Sequence, residues 1–328
     1  MNQYKQKQNS YIFVDLSLEE DILKLSGPEK DTFLNAYNTQ NILALQNNHI
    51  CYGAFLNQKG KLITDSWILK HNEHFFLFIP KGYDEKLLKH LEIFLNFADV
   101  SLEALKSPYS HLLCMGSEAS NVIEKFFQRR SIDESKVQNF FHEETEIILI
   151  YSNRFGCPTW EIFIPEDKNN LGQKILSENQ KFIADPNLLE IFRIEAGYPK
   201  MGIDMDENCL VAEVGLDQRA TSFTKGCYLG QETTARIQSI GKVNRQLQVF
   251  ELQKPTSKTL PIPIEDSEGK QIGQLTSQIY SPKFEKEVGL GILNTKAMQA
   301  STQYKIDSET SLHILEKPLA KEKGKSNS

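Results

Sequence analysis

Three apolar runs, residues 49–56, 62–69 and 75–79, are separated only by the polar stretches Asn57-Gln58-Lys59-Gly60 and His71-Asn72-Glu73-His74. Parallel neighbours need a crossover of about a dozen residues or more, so gaps this short force an antiparallel meander. Residues 84–98 follow with Leu87, Leu88, Leu91, Phe94, Leu95 and Ala98 on one helical face. Upstream, Ser26-Gly27-Pro28 marks a turn into a helix carrying Phe33, Ala36 and Tyr37. Downstream, strands are expected at 112–115, 146–151 and 160–164, with a helix burying Ala119, Val122, Ile123, Phe126 and Phe127. Strands and helices that alternate without long parallel crossovers point to an α+β fold rather than a doubly wound sheet.

The pattern changes near Arg245. Short strands at 247–252, 271–278 and 288–293 are punctuated by Pro255, Pro261, Pro263, Gly269 and Pro282, the spacing of a small β-barrel or sandwich. The expected organisation is therefore a large region, 1–245, of mixed and antiparallel sheets with helices, falling into two subdomains. A C-terminal β-barrel, 246–316, follows it. The Lys-rich tail, 317–328, is expected to be disordered.

Net charge is −6, without the clustered Lys and Arg that nucleic-acid binding requires. Residues 1–10 have no apolar core of the secretory kind, and no apolar run approaches the roughly 20 residues that span a bilayer. A soluble, cytoplasmic protein is expected, with neither membrane nor nucleic acid as partner. Five cysteines, Cys51, Cys114, Cys157, Cys209 and Cys227, are odd in number and widely spaced, with no C-x-x-C. They form no disulfide framework and no conventional zinc or cluster site, so no resident metal is expected.

One cysteine stands apart. Cys227 lies in Lys225-Gly226-Cys227-Tyr228-Leu229-Gly230-Gln231-Glu232, between glycines, two residues after a lysine and just ahead of a helix ending at Gly241. A nearby ammonium and a helix N-terminus both favour thiolate, so Cys227 and Lys225 are the candidate catalytic pair; a buried, inert thiol is the plainer alternative. A second candidate is Arg193-Ile194-Glu195-Ala196-Gly197, where a carboxylate at the edge of a core can accept N–H bonds from a planar heterocycle. An Arg193–Glu195 surface pair is the plainer reading. The third is Asp65, within the apolar run 62–69, which is either a pocket carboxylate or an outward-facing strand residue.

The segment 225–232 resembles the K-G-C-Y-x-G-Q-E signature of the YgfZ-type iron–sulfur maintenance proteins, with Arg236 where that family has an arginine. The framework from about Leu25 to Leu293 resembles the wider superfamily of the glycine cleavage T-protein (aminomethyltransferase). Ser26-Gly27 with Phe33-Leu34 is similar to its opening helix, 60–69 to its glycine turn and Asp-bearing strand, and 193–197 to its R-x-E-x-G element. Asn38-Thr39-Gln40-Asn41 departs from the Thr-x-Asp turn of many relatives. The resemblance implies a tetrahydrofolate pocket in the large region, with Glu195 holding the pterin. Arg193, Tyr228, Gln231 and Asp65 complete the cofactor-binding set. It also implies a role in assembling or repairing [4Fe–4S] proteins, with assembly factors or client proteins as transient partners. Aminomethyl transfer, which needs a pocket carboxylate such as Asp65 and no thiol, is the rival reading.

Overall fold

The structure is a computed structural model that describes residues 10–105, 109–128, 138–142, 145–152, 154–165, 170–179, 183, 186–300 and 304–315. The tail expected to be disordered lies outside the described residues. After β1 (Ile12–Asp15) come β2 (Glu20–Ser26), α1 (Lys30–Tyr37), β3 (His49–Leu56), β4 (Leu62–His71), β5 (His74–Pro80), α2 (Asp84–Leu95) and β6 (Ser101–Leu105). The meander forms as the short turns require: β3, β4 and β5 pair antiparallel, within a sheet ordered β3-β4-β5-β2-β6.

Strand alternation gives this sheet two apolar faces. On one, Leu23, Leu25, Phe55, Ile68, Phe75, Leu77 and Ile79 bury against Phe33 and Leu34 of α1 and Leu87 and Leu91 of α2. On the other, Ile22, Leu69, Phe76 and Phe78 pack against Ile148, Ile150 and Phe163 of a second sheet. That sheet is ordered β1-β7-β10-β9-β8, with β7 (Tyr109–Met115), β8 (Gln138–His142), β9 (Thr145–Ser152) and β10 (Thr159–Pro165). Its far face is closed by α3 (Ala119–Phe126) and α4 (Leu171–Glu178), around the fully buried Trp160. The result is an α+β sandwich of helices, sheet, sheet and helices in which every pair of named strands is antiparallel.

Next, α5 (Pro186–Glu195), α6 (Leu216–Arg219) and α7 (Gln231–Ile240) lead to β11 (Arg245–Leu252). With β12 (Ile262–Glu265), β13 (Gln271–Ser281), β14 (Lys286–Asn294), β15 (Tyr304–Lys305) and β16 (Ser311–Ile314), β11 closes a barrel. Ile194 of α5 seats in its outer apolar wall with Val249, Val288 and Leu290. One pair of glycines knits the sandwich to the 225–232 segment. A Cβ at Gly230 (φ 81°) would lie 2.5 Å from Asn57 O, and one at Gly60 (φ 75°) 2.7 Å from Thr233 Cβ. The β3–β4 turn and the entry to α7 can touch because neither glycine carries a side chain.

Candidate functional site

The register of β3 and β4 sets Tyr52 opposite Trp67 and Ala54 opposite Asp65, so Tyr52, Asp65 and Trp67 share one face. Tyr52 and Trp67 rings lie 4.9 Å apart, and the Tyr52 hydroxyl donates to Asp65 Oδ2 at 2.6 Å. Burial, reinforced by the Asp65 charge, pushes the Tyr52 phenol well above its ordinary range, which keeps it a hydrogen-bond donor. These residues line a cavity of about 150 Å³ that Glu20, Phe78, Phe155, Glu190, Arg193 and Tyr198 also face. Asp65 thus lies on the cavity side of β4.

The opposite wall comes from α5 and the chain after it. Arg193, 5% exposed, grips Glu190 through Nε at 3.1 Å and Nη2 at 2.6 Å, and donates from Nη1 to Tyr198 O at 2.8 Å. The Tyr198 ring has the Arg219 guanidinium 3.8 Å from its centroid and Phe155 edge-on at 5.0 Å. Arg219 itself is fixed by donating to Ala196 O and Gly197 O. Phe155 sits at φ 57°, a left-handed conformation that costs a bulky residue free energy and is characteristic of ligand-lining positions. Aromatic walls with a few carboxylates and one held guanidinium suit a flat, N–H-rich heterocycle.

Glu195 is not among the lining residues. It is 6% exposed and accepts from Ser281 Oγ of β13 at 2.5 Å, so its carboxylate serves the barrel junction. Glu190, five residues earlier, is the α5 carboxylate that faces the cavity. The R-x-E spacing points to the helix that lines the cavity, and on that helix Glu190 rather than Glu195 faces it. The usable signal was Glu190 three residues before Arg193, on the same helical face. Tyr52, Trp67, Tyr198 and Arg219 were also missed.

The 225–232 residues gather elsewhere. Residues 222–230 form no strand, with a bend at 223–225 and a turn at 229–230, and the Lys225 ammonium inserts among the carbonyls of Asn35, Asn38 (2.7 Å) and Gln40 (3.0 Å), at the end of α1. Burial pushes the Lys225 pKa down to about 8. Tyr228, 7% exposed, packs in the core with Leu56, Leu62 and Val214, and its amide donates to Gln231 Oε1 at 3.1 Å. Neither Tyr228 nor Gln231 lines the cavity. Cys227 stands exposed beside Gly226, around which a Cβ would meet open space. The charge expected to serve Cys227 is thus engaged with α1, and Lys225 anchors the segment. Lys225→Met, which keeps the stem and deletes the ammonium, is expected to cost about 1.5–3 kcal/mol in urea denaturation. A loss below about 0.5 kcal/mol would mean that the three contacts add nothing.

The two places are one strand apart. Gln40 accepts from Lys225 through its carbonyl, and its side-chain amide donates to Tyr52 O at 3.2 Å. Among the described residues no three His, Cys, Asp or Glu cluster as a metal site would need, and no helix is long and apolar enough to cross a membrane.

Comparison with known proteins adds the lineage. Residues 2–225 match the family model of the GCVT N-terminal domain. An aminomethyltransferase of Caldanaerobacter subterraneus subsp. tengcongensis is 22% identical over 317 residues, covering 93% of this chain and 83% of that protein. An aminomethyltransferase of Staphylococcus carnosus is 25% identical over 286 residues, covering 85% and 78%. The crystal structure of glycine cleavage system aminomethyltransferase T from Bartonella henselae superimposes with a TM-score of 0.81 at 18% identity, over 98% of this chain and 89% of that one. At that identity the likeness is one of fold.

Proposed function

The chain belongs to the GCVT N-terminal domain family, and from that premise we propose that it binds a reduced folate in the Asp65 cavity and uses Cys227 in the upkeep of iron–sulfur proteins. The folate half rests on the aromatic cavity with Asp65 and Glu190 on facing walls. Carboxylates there accept from the N–H groups of a pterin, while Tyr52, Trp67 and Tyr198 offer it flat apolar surface.

The second half rests on one observation: of five thiols, the exposed one lies in the K-G-C-Y-x-G-Q-E-like segment. A thiol open to solvent on an anchored turn is accessible to a cluster, a persulfide or an adduct presented by a partner protein. Folate would bind one strand away, with Gln40 linking the two places.

Aminomethyl transfer to folate is the second reading, and the comparisons favour it, since the curated relatives named above are aminomethyltransferases. The position of Asp65 suits it, because a cavity carboxylate can steer an attacking amine. Cys227 separates the two readings. In a strain lacking this protein, complementation with wild type is expected to restore [4Fe–4S] enzyme activities and Cys227→Ala to fail. Full rescue by Cys227→Ala, with aminomethyl transfer abolished by Asp65→Asn, would install the second reading instead.

A further inference from the structure

A buried charge cluster lies behind one wall of the cavity. His111 of β7, 1% exposed, directs Nδ1 at Glu20 Oε2 (2.7 Å) and Nε2 at Glu161 Oε2 (3.1 Å). Glu161 is on β10 with a fully buried side chain, whereas Glu20 opens β2 in the other sheet, so the imidazole bridges the seam between the sheets. The ring stacks on Phe163 at 4.3 Å. With a carboxylate at each nitrogen, the doubly protonated imidazolium is the form that donates to both. Burial is the largest influence and pulls the His111 pKa down, but Glu20 and Glu161 together outweigh it and hold it above the ordinary histidine value.

Glu20 is where this chain of charges reaches the cavity. Its Oε2 is taken by His111, while Oε1 has no hydrogen bond or ion pair among the described residues. The neighbouring charges are matched elsewhere: Glu19 pairs with Lys200, and Asp21 with Lys81. We infer that Glu20 is a specificity-determining carboxylate of the cavity, accepting from an N–H edge of the ligand, and that His111 and Glu161 are positioning residues that hold it turned inward. The inference rests on the folate reading. It adds a carboxylate acceptor that favours a reduced ring with N–H groups on the edge facing Glu20 over one without them.

The test is tetrahydrofolate titrated into wild type, Glu20→Gln, His111→Gln and the double variant. Glu20→Gln is expected to weaken binding about tenfold or more, since a neutral amide replaces a charged acceptor. His111→Gln is expected to weaken binding by wild type but to add no further loss in Glu20→Gln, because it acts through the Glu20 carboxylate. An equal further loss in both backgrounds is what a structural role alone would give, and that outcome overturns the inference, as does wild-type affinity in Glu20→Gln. Should His111→Gln fail to fold, Glu20→Gln decides alone. Wild type that binds no tetrahydrofolate would remove the folate reading and this inference together, whereas tight wild-type binding with an indifferent Glu20→Gln would remove only the inference.

Discussion

A limiting dose of iodoacetamide near neutral pH is expected to label Cys227 at least about a hundredfold faster than any other cysteine of the folded protein. Thiolate is the reacting species, so both access and ionisation count. Burial pushes Cys51 up to about 12, where at about pH 7.5 roughly three parts in 100,000 are ionised. Cys209 is 2% exposed and pushed up to about 11, with Asp206 and Arg245 beside it. Cys114 is fully buried and held higher still, and Cys157 is 5% exposed in the core with Leu188 and Phe192. Cys227 alone of the five is exposed. Peptide mapping with time reads the order directly. Faster labelling of Cys157 or Cys209 would mean that the loops carrying them open more readily than their packing allows.

Arg193→Ala is expected to destabilise the protein by about 3–5 kcal/mol, the cost of leaving buried carboxylates without their cation. Arg193 Nη1 meets Asp204 Oδ2 at 2.5 Å, and the Asp204 side chain is fully buried. The other Asp204 oxygen accepts from Thr276 and Ser277 of β13, and Arg193 Nη2 donates to Ser277 Oγ at 3.1 Å. One guanidinium therefore holds α5, the 198–204 segment, the barrel and the cavity carboxylate Glu190 in a single network. Equilibrium denaturation should show the loss, and the 198–204 segment should become more susceptible to proteolysis. A change below about 1 kcal/mol would show that the network relaxes without cost. Asp204→Asn in the same background should then restore part of the stability, because it removes the orphaned charge.

The parts of the fold that could be read from sequence are those where periodicity leaves one solution. The runs in 49–79 alternate and are joined by turns too short for anything but hairpins, and β3, β4 and β5 follow. Residues 84–98 carry a helical stripe, and α2 buries Leu87 and Leu91. The site was less legible because it depends on which way a helix faces. Glu190 and Glu195 are five residues apart, about 140° around a helix, so they look to nearly opposite sides. Only tertiary packing, with Ile194 against the barrel, turns Glu190 to the cavity and Glu195 to Ser281. Lys225 and Cys227 would share a face in an extended strand, but residues 222–230 form no strand and bend at 223–225, and α1 offers carbonyls that no local pattern announces. Cys157 and Cys209 lie outside helices and strands, yet both segments fold onto core clusters and bury their thiols.

The central claim is that a reduced folate occupies the Asp65 cavity between Glu190 and the Tyr52–Trp67 face. Calorimetric titration of tetrahydrofolate into wild type and Glu190→Gln tests it most directly. Saturable one-to-one binding by wild type is expected, weakened about ten- to a hundredfold in Glu190→Gln by loss of a charged acceptor. Equal affinity in the two proteins, or no saturable binding by wild type, would contradict it.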